Sequence, residues 1–190
     1  MESDKAAEVN GDSARVDVRA RDTAWVPEFR DMRDALVNGD KARMKKYFTF
    51  PIYSSEDEIW AVVEASPDTT VHEDSGSQLM SPFRERDFDK YCERLFSKEF
   101  VLGLSKVDVS KLISGVASDQ ELPGNDSVHY SFIASLDSSD HTLHFFLTTR
   151  YSLTPSKPDE QKEEGFSLLG YTFAILGGST IRFREVGIAD

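Results

Sequence analysis

Residues 128–153 read VHYSFIASLDSSDHTLHFFLTTRYSL. Two runs of alternating apolar and polar residues flank the turn-forming Asp137-Ser138-Ser139-Asp140, which is the pattern of a β-hairpin with one buried face. With a four-residue turn at Asp137–Asp140, Leu136 faces His141. Ala134 then opposes Leu143, Phe132 opposes Phe145, and Tyr130 opposes Leu147. A slip of one residue would turn that apolar set outward, so the face is strongly specified. The opposite face carries His129, Ser131, Ile133, His144, Phe146, Thr148 and Arg150.

A second hairpin follows a loop of mixed charge and proline at 154–164. Gly165 to Leu176 and Ser179 to Ile188 flank Gly177-Gly178, and paired glycines suit the positive φ angles of primed hairpin turns. The expected register sets Phe173 against Arg182 and Tyr171 against Arg184, with the guanidinium groups over the rings. Four strands in series therefore run from Val128 to Ile188.

Upstream the period changes. Trp25, Phe29, Met32 and Leu36 share one helix face, with Thr23 or Asp22 as the cap and Asn38-Gly39 as the stop. Asp40 opens a second short helix carrying Met44, Tyr47 and Phe48, which ends at Pro51. Ile59-Trp60-Ala61-Val62-Val63 is rich in strand formers and predicts a strand. Residues 64–80 predict a long loop. Phe88, Tyr91, Cys92, Leu95 and Phe96 form a broad apolar helix stripe, and a further short helix holds Phe100, Val101 and Leu104. Residues 107–116 fit either helix or strand. The expected fold is α+β, with N-terminal helices packed on a curved, mostly antiparallel sheet of four to six strands. A cystatin-like sheet wrapped on one helix is the alternative.

At 190 residues, one domain over 23–190 is the default expectation. Residues 1–22 are polar and without an aromatic, and predict a flexible tether. The chain carries 34 acidic against 22 basic residues, net −12. The excess acid concentrates in loop-like stretches, and such an envelope argues against a nucleic-acid partner. Cys92 is the single cysteine, so neither an intrachain disulfide nor a thiolate metal cluster can form. It reads as a small core residue. No stretch approaches the ~20 apolar residues of a membrane-spanning helix. The favoured placement is the cell envelope, facing the periplasm, with a leader removed; a cytoplasmic chain is the alternative.

No nucleophile elbow, dinucleotide-binding glycine pattern or zinc-ligand spacing is present. His129 and His144 share a face about four residue pairs apart, at ~3.3 Å per residue, which is too far to share a zinc bound at ~2 Å. Glu185, the lone acid in the last strand, is expected to pair with Arg184 or Arg150. No cofactor and no metal are implied.

The order helix, helix, strand, helix, then meander resembles the nuclear transport factor two-like superfamily, the cone-shaped α+β fold that includes ketosteroid isomerases. That resemblance implies helices over the concave face of a curved sheet, with ligands bound between them. It rests on element order and transfers no catalytic residue. The segment Phe29-Arg30 … Ala35-Leu36-x-x-Gly39-Asp40 … Phe48-x-Phe50-Pro51-Ile52 also resembles an opening found in uncharacterised bacterial exported lipoprotein domains.

These readings converge on a small noncatalytic binding or interaction domain, with an apolar small ligand between helices and sheet. Tyr47, Tyr53, Trp60, Tyr91 and Arg150 are the expected liners. One alternative is an enzyme of the ketosteroid isomerase or dehydratase type. Another is a homodimer joined through a sheet face bearing Phe146, Tyr171, Phe173, Arg182 and Arg184.

Overall fold

A computed structural model of the chain describes residues 23–54, 58–66, 81–153 and 163–189. The N-terminal segment 1–22, Glu56-Asp57 and most of the two expected loops at 64–80 and 154–164 lie outside the described residues.

The first helix, α1 (Val26–Val37), starts on Pro27, whose fixed φ suits a first turn, and buries Val26, Phe29, Met32, Ala35 and Leu36. It stops where Gly39 takes φ 65°. Asp40 then accepts from Arg43 N–H at 3.0 Å and caps α2 (Lys41–Met44), which tightens into a 3₁₀ turn at Lys45–Tyr47. Past the Phe50-Pro51 step, Ile52 and Phe83 exchange two backbone hydrogen bonds of 2.9 Å as an antiparallel bridge.

The expected strand at Ile59–Val63 is instead a helix, α3 (Glu58–Val62). Ser54 Oγ accepts from Ile59 N–H at 3.3 Å and opens it, while Ile59, Trp60 and Val63 are buried. Strand propensity here yields to the packing of a single helical turn and its flanks. Two longer helices follow, α4 (Glu85–Leu95) and α5 (Lys98–Ser105). Asp87 accepts from Arg84 N–H at the start of the first, and Ser97 caps the second. The ambiguous stretch resolves as α6 (Val109–Ile113), capped by Asp108.

The sheet is a five-stranded antiparallel meander: β1 (Ser118–Asn125), β2 (Val128–Asp137), β3 (Thr142–Leu153), β4 (Glu163–Leu176) and β5 (Thr180–Ala189), in spatial order β1-β2-β3-β4-β5. The first strand precedes the four expected from Val128 onward: it is an edge strand, with only Ser118 and Leu122 buried, so its composition is polar.

The first hairpin buries the expected face, but its register differs by two residues. Leu136 pairs with Leu143, Ala134 with Phe145 and Phe132 with Leu147. The cause is the turn. Asp137 pairs with Thr142, the loop is Ser138–His141, and His141 adopts φ 54°. The second hairpin differs too, with Phe173 opposite Phe183 and Tyr171 opposite Val186. The Arg182 and Arg184 guanidinium groups therefore do not lie over those rings. Described cations sit over other rings, as Lys90 does over Tyr91, with Nζ 4.7 Å from the centroid. Between Phe183 and Glu185 the register shifts, because Thr172 pairs with Glu185 and leaves Arg184 as an extra residue. This β-bulge holds Val186 in the core and Glu185 on the outer face.

Helices cover one sheet face, and aromatic rings fill the space between. Phe29 of α1 stacks on Phe145 at 6.1 Å, and Phe100 of α5 meets Tyr171 at 4.3 Å and Phe132 at 5.4 Å. The Tyr171 hydroxyl donates to the Leu95 carbonyl, so its buried polar atom is satisfied. Several helices share the cover, unlike the single wrapped helix of the cystatin-like alternative.

Where α1 meets the 3₁₀ turn, Tyr47 OH donates to Asp31 Oδ2 at 2.5 Å, and Arg43 pairs with the same carboxylate. The Tyr47 hydroxyl foremost, with Arg43, holds the Asp31 carboxyl below its ordinary range. A depressed native pKa stabilises the fold above the unfolded value and loses that contribution as pH falls through the native value. Asp31→Asn is therefore expected to lower stability by only about 0.5–1 kcal/mol at neutral pH, since its side chain remains 39% accessible and screened. The deficit should be complete above about pH 4 and shrink as pH falls further, through the depressed native value. Urea midpoints of both proteins between pH 3 and pH 7 check this, and a deficit that grows on acidification would contradict it.

Candidate functional site

An apolar concavity forms where the two hairpin turns meet the ends of the helices. Asp137 organises the β2–β3 turn, accepting from Ser139 N–H at 2.8 Å, Ser139 Oγ at 2.7 Å and Asp140 N–H at 3.2 Å. Those donors hold its carboxyl below the usual range. The β4–β5 turn uses Gly177 at φ 58° and Gly178 at φ 77°, a conformation open to glycine without a Cβ penalty. Its own hydrogen bond runs from Ser179 N–H to the Leu176 carbonyl at 3.2 Å. Ile175 N–H donates to the His141 carbonyl at 2.7 Å and ties the two turns together.

Between these turns, the start of α1 and the end of α6 lies a cleft of about 350 Å³. Trp25, Ile113, Leu136 and Ile175 supply its apolar walls, and Ser138, His141, Gly177 and Gly178 its rim. Trp25 is buried and forms an edge contact with Phe29 at 6.0 Å, so that wall is fixed to the core. Ile113, at the end of α6, remains 45% exposed. Sequence reading missed this site because its walls come from four separate elements. The visible signal was the pair of turn sequences, each of which positions its own backbone.

The residues predicted as ligand liners do not converge. Tyr47 is buried against α1 and spends its hydroxyl on Asp31, which together with burial pushes its own pKa up. Trp60 is buried, donates from Nε1 to the Ser81 carbonyl at 2.9 Å, and meets Tyr91 edge-on at 6.3 Å. Tyr53 is 60% exposed. Arg150 stands near the far end of β3, paired with His129 and Phe166. Of the five, Trp60 and Tyr91 are brought together. The space between the Trp25/Phe29 and Tyr91/Leu95 faces and the sheet, where the ligand was expected, is occupied by the rings described above.

The expected interface residues divide between the two sheet faces. Tyr171 and Phe173 point into the core, because β3 sets them opposite the buried Phe145 and Leu143, while Phe146 on the other face pairs with Gly170. Phe146 and Arg182 lie half-buried on the outer face, and Arg184 is exposed at the bulge. Phe146 stacks parallel to His144, with centroids 6.2 Å apart. The His144 ring nitrogens contact Thr142 Oγ1 at 2.9 Å and Thr172 Oγ1 at 3.3 Å. Beside them the facing glycines Gly170 and Gly187 leave a shallow trough of about 390 Å³, bordered by Phe146, Thr172, Glu185 and Glu58. Among the described residues Glu185 forms no ion pair with Arg184 or Arg150, contrary to the expected salt bridge, because the bulge aims it at the trough.

Among the described residues the buried polar side chains are Ser54, Ser118, Thr142 and Thr172, with no carboxylate or imidazole in the interior. Burial raises the Cys92 thiol to about 11, so it is protonated at neutral pH. In the observed register His129 and His144 fall six positions apart along β3, opposite Arg150 and Ser135 respectively. Among the described residues no helix is long and apolar enough to cross a membrane. No family model, curated protein or solved structure matches the chain.

Proposed function

We propose that this chain is a noncatalytic binding domain of the cone-shaped, helices-then-meander type, and that it holds a small apolar group in the cleft between α1, α6 and the two hairpin turns. The observation that carries this reading is the cleft's construction. A buried tryptophan and three aliphatic side chains enclose about 350 Å³, beneath a narrow polar rim. That volume lies at the small end of the ~300–1,000 Å³ span of ligand pockets, whose walls are mostly apolar with few polar groups. Ile113 supports the reading further, since nothing in the described structure covers its exposed side and a ligand would remove it from water.

The test is a titration of the methyl-labelled protein with a naphthalene-bearing probe, followed by two-dimensional NMR. Saturable shifts are expected at the Ile113, Leu136 and Ile175 methyls, while core methyls such as Leu95 and Leu104 stay in place. Ile113→Glu, a change at an exposed position, should abolish the shifts without unfolding the protein. Unmoved cleft methyls at probe saturation would reject the site.

A further inference from the structure

We infer that the ligand of this cleft is an apolar carboxylic acid, its body between Trp25 and Ile113 and its carboxylate at the Ser138–His141 rim. The inference rests on the reading of the cleft as a binding site and adds the chemistry of the head group.

Each rim residue offers a hydrogen-bond donor, and none carries an acidic side chain. Ser138 contributes a hydroxyl and His141 an imidazole N–H. The Gly177 and Gly178 amides take no part in their turn's own hydrogen bond, which uses Ser179 N–H. No Asp, Glu, Lys or Arg lines the cleft, although the chain as a whole carries a net charge of −12. The closest acids in sequence are Asp137 and Asp140. The first is turned back into its own loop, where three donors already satisfy it. The second is exposed and does not line the cleft. A donor-rich, acid-free rim matches an acceptor head group, and bonds to an ionised carboxylate are about twice as strong as neutral ones. The rim is open to water, so the carboxylate stays partly hydrated and its desolvation cost stays low. The walls offer no polar partner, so the remainder of the ligand must be apolar.

The experiment compares three probes with the same aromatic body: naphthalene-2-acetate, the corresponding alcohol and the corresponding amine. Methyl NMR and calorimetry on the full chain give the affinities. The acid is expected to bind at least about tenfold more tightly than the alcohol, with the amine weakest. His141→Gly removes the ring donor and tolerates the left-handed backbone at this position. It should erase the preference for acid over alcohol. Equal binding of acid and alcohol, tighter binding of the amine, or an acid preference that survives His141→Gly would overturn the assignment while leaving the apolar cleft intact. Failure of all three probes to move the Ile113, Leu136 and Ile175 methyls would overturn the binding-domain reading itself.

Discussion

Phe145→Ala is expected to cost about 3–5 kcal/mol of folding stability, the range for deleting a fully buried phenyl ring. Phe145 is inaccessible to solvent and lies at the crossing point of the core. Its ring stacks on Phe29 at 6.1 Å and on Phe132 at 6.3 Å. It meets Phe100 edge-on at 6.3 Å and Phe173 at 5.8 Å. Its neighbours thus come from α1, α5, β2 and β4, four elements that cannot all collapse into one void. The cavity term therefore adds to the lost transfer energy. Urea unfolding should show a lower midpoint with an unchanged slope. A loss under about 1 kcal/mol would mean that the core is loosely packed there.

Gly103→Ala is expected to destabilise by about 1–3 kcal/mol, although alanine is the better helix former by ~1 kcal/mol. Gly103 sits on the face of α5 turned to β2. A methyl group at Gly103 would lie 2.3 Å from Phe132 Cγ and 2.7 Å from Phe132 Cβ, inside van der Waals contact. The ring cannot swing away freely, because Phe100 and Phe145 hold its other sides. The helix must instead lift from the sheet, straining the bond from Gln120 Nε2 to the Gly103 carbonyl at 2.9 Å. Phe132→Ala in the same chain removes Cγ and the ring that the methyl would meet, so the two substitutions are expected to be non-additive. Thermal and urea unfolding of the single and double variants decides the point. A stabilised Gly103→Ala protein would show that helix propensity outweighs the contact.

Much of the architecture is legible from periodicity, because burial imposes it. Trp25, Phe29, Met32 and Leu36 announce α1, and the alternation about Phe132 and Phe145 announces the covered sheet face. What escapes the pattern is set by local or tertiary detail. The register of the first hairpin depends on the Asp137 carboxylate capping turn amides and on His141 taking a positive φ, and neither leaves a periodic trace. The second depends on a turn that takes in Ser179 beside the two glycines, so that Leu176 pairs with Thr180, and then on one extra residue, Arg184. The α3 segment carries strand-forming side chains, yet Ser54 and the core beneath it select a helical turn. As for the site, Trp25, Ile113, Leu136 and Ile175 each look like ordinary core positions in sequence. Only their meeting at one end of the fold makes a cleft. The aromatic liners expected from composition were absorbed by packing, as large rings usually are.

The bulge at Arg184 sets a reading frame for the end of the chain. Upstream of it, odd-numbered positions such as Ile181 and Phe183 face inward; downstream, Val186 takes that role. Were Arg184 paired as a regular strand residue, the alternation would run on and turn Glu185 toward the core and Val186 toward the outer trough. A chain lacking only position 184 would instead keep both on their present faces, opposite Thr172 and Tyr171. The bulge therefore absorbs one residue of chain length without changing which side chains of the last strand are buried.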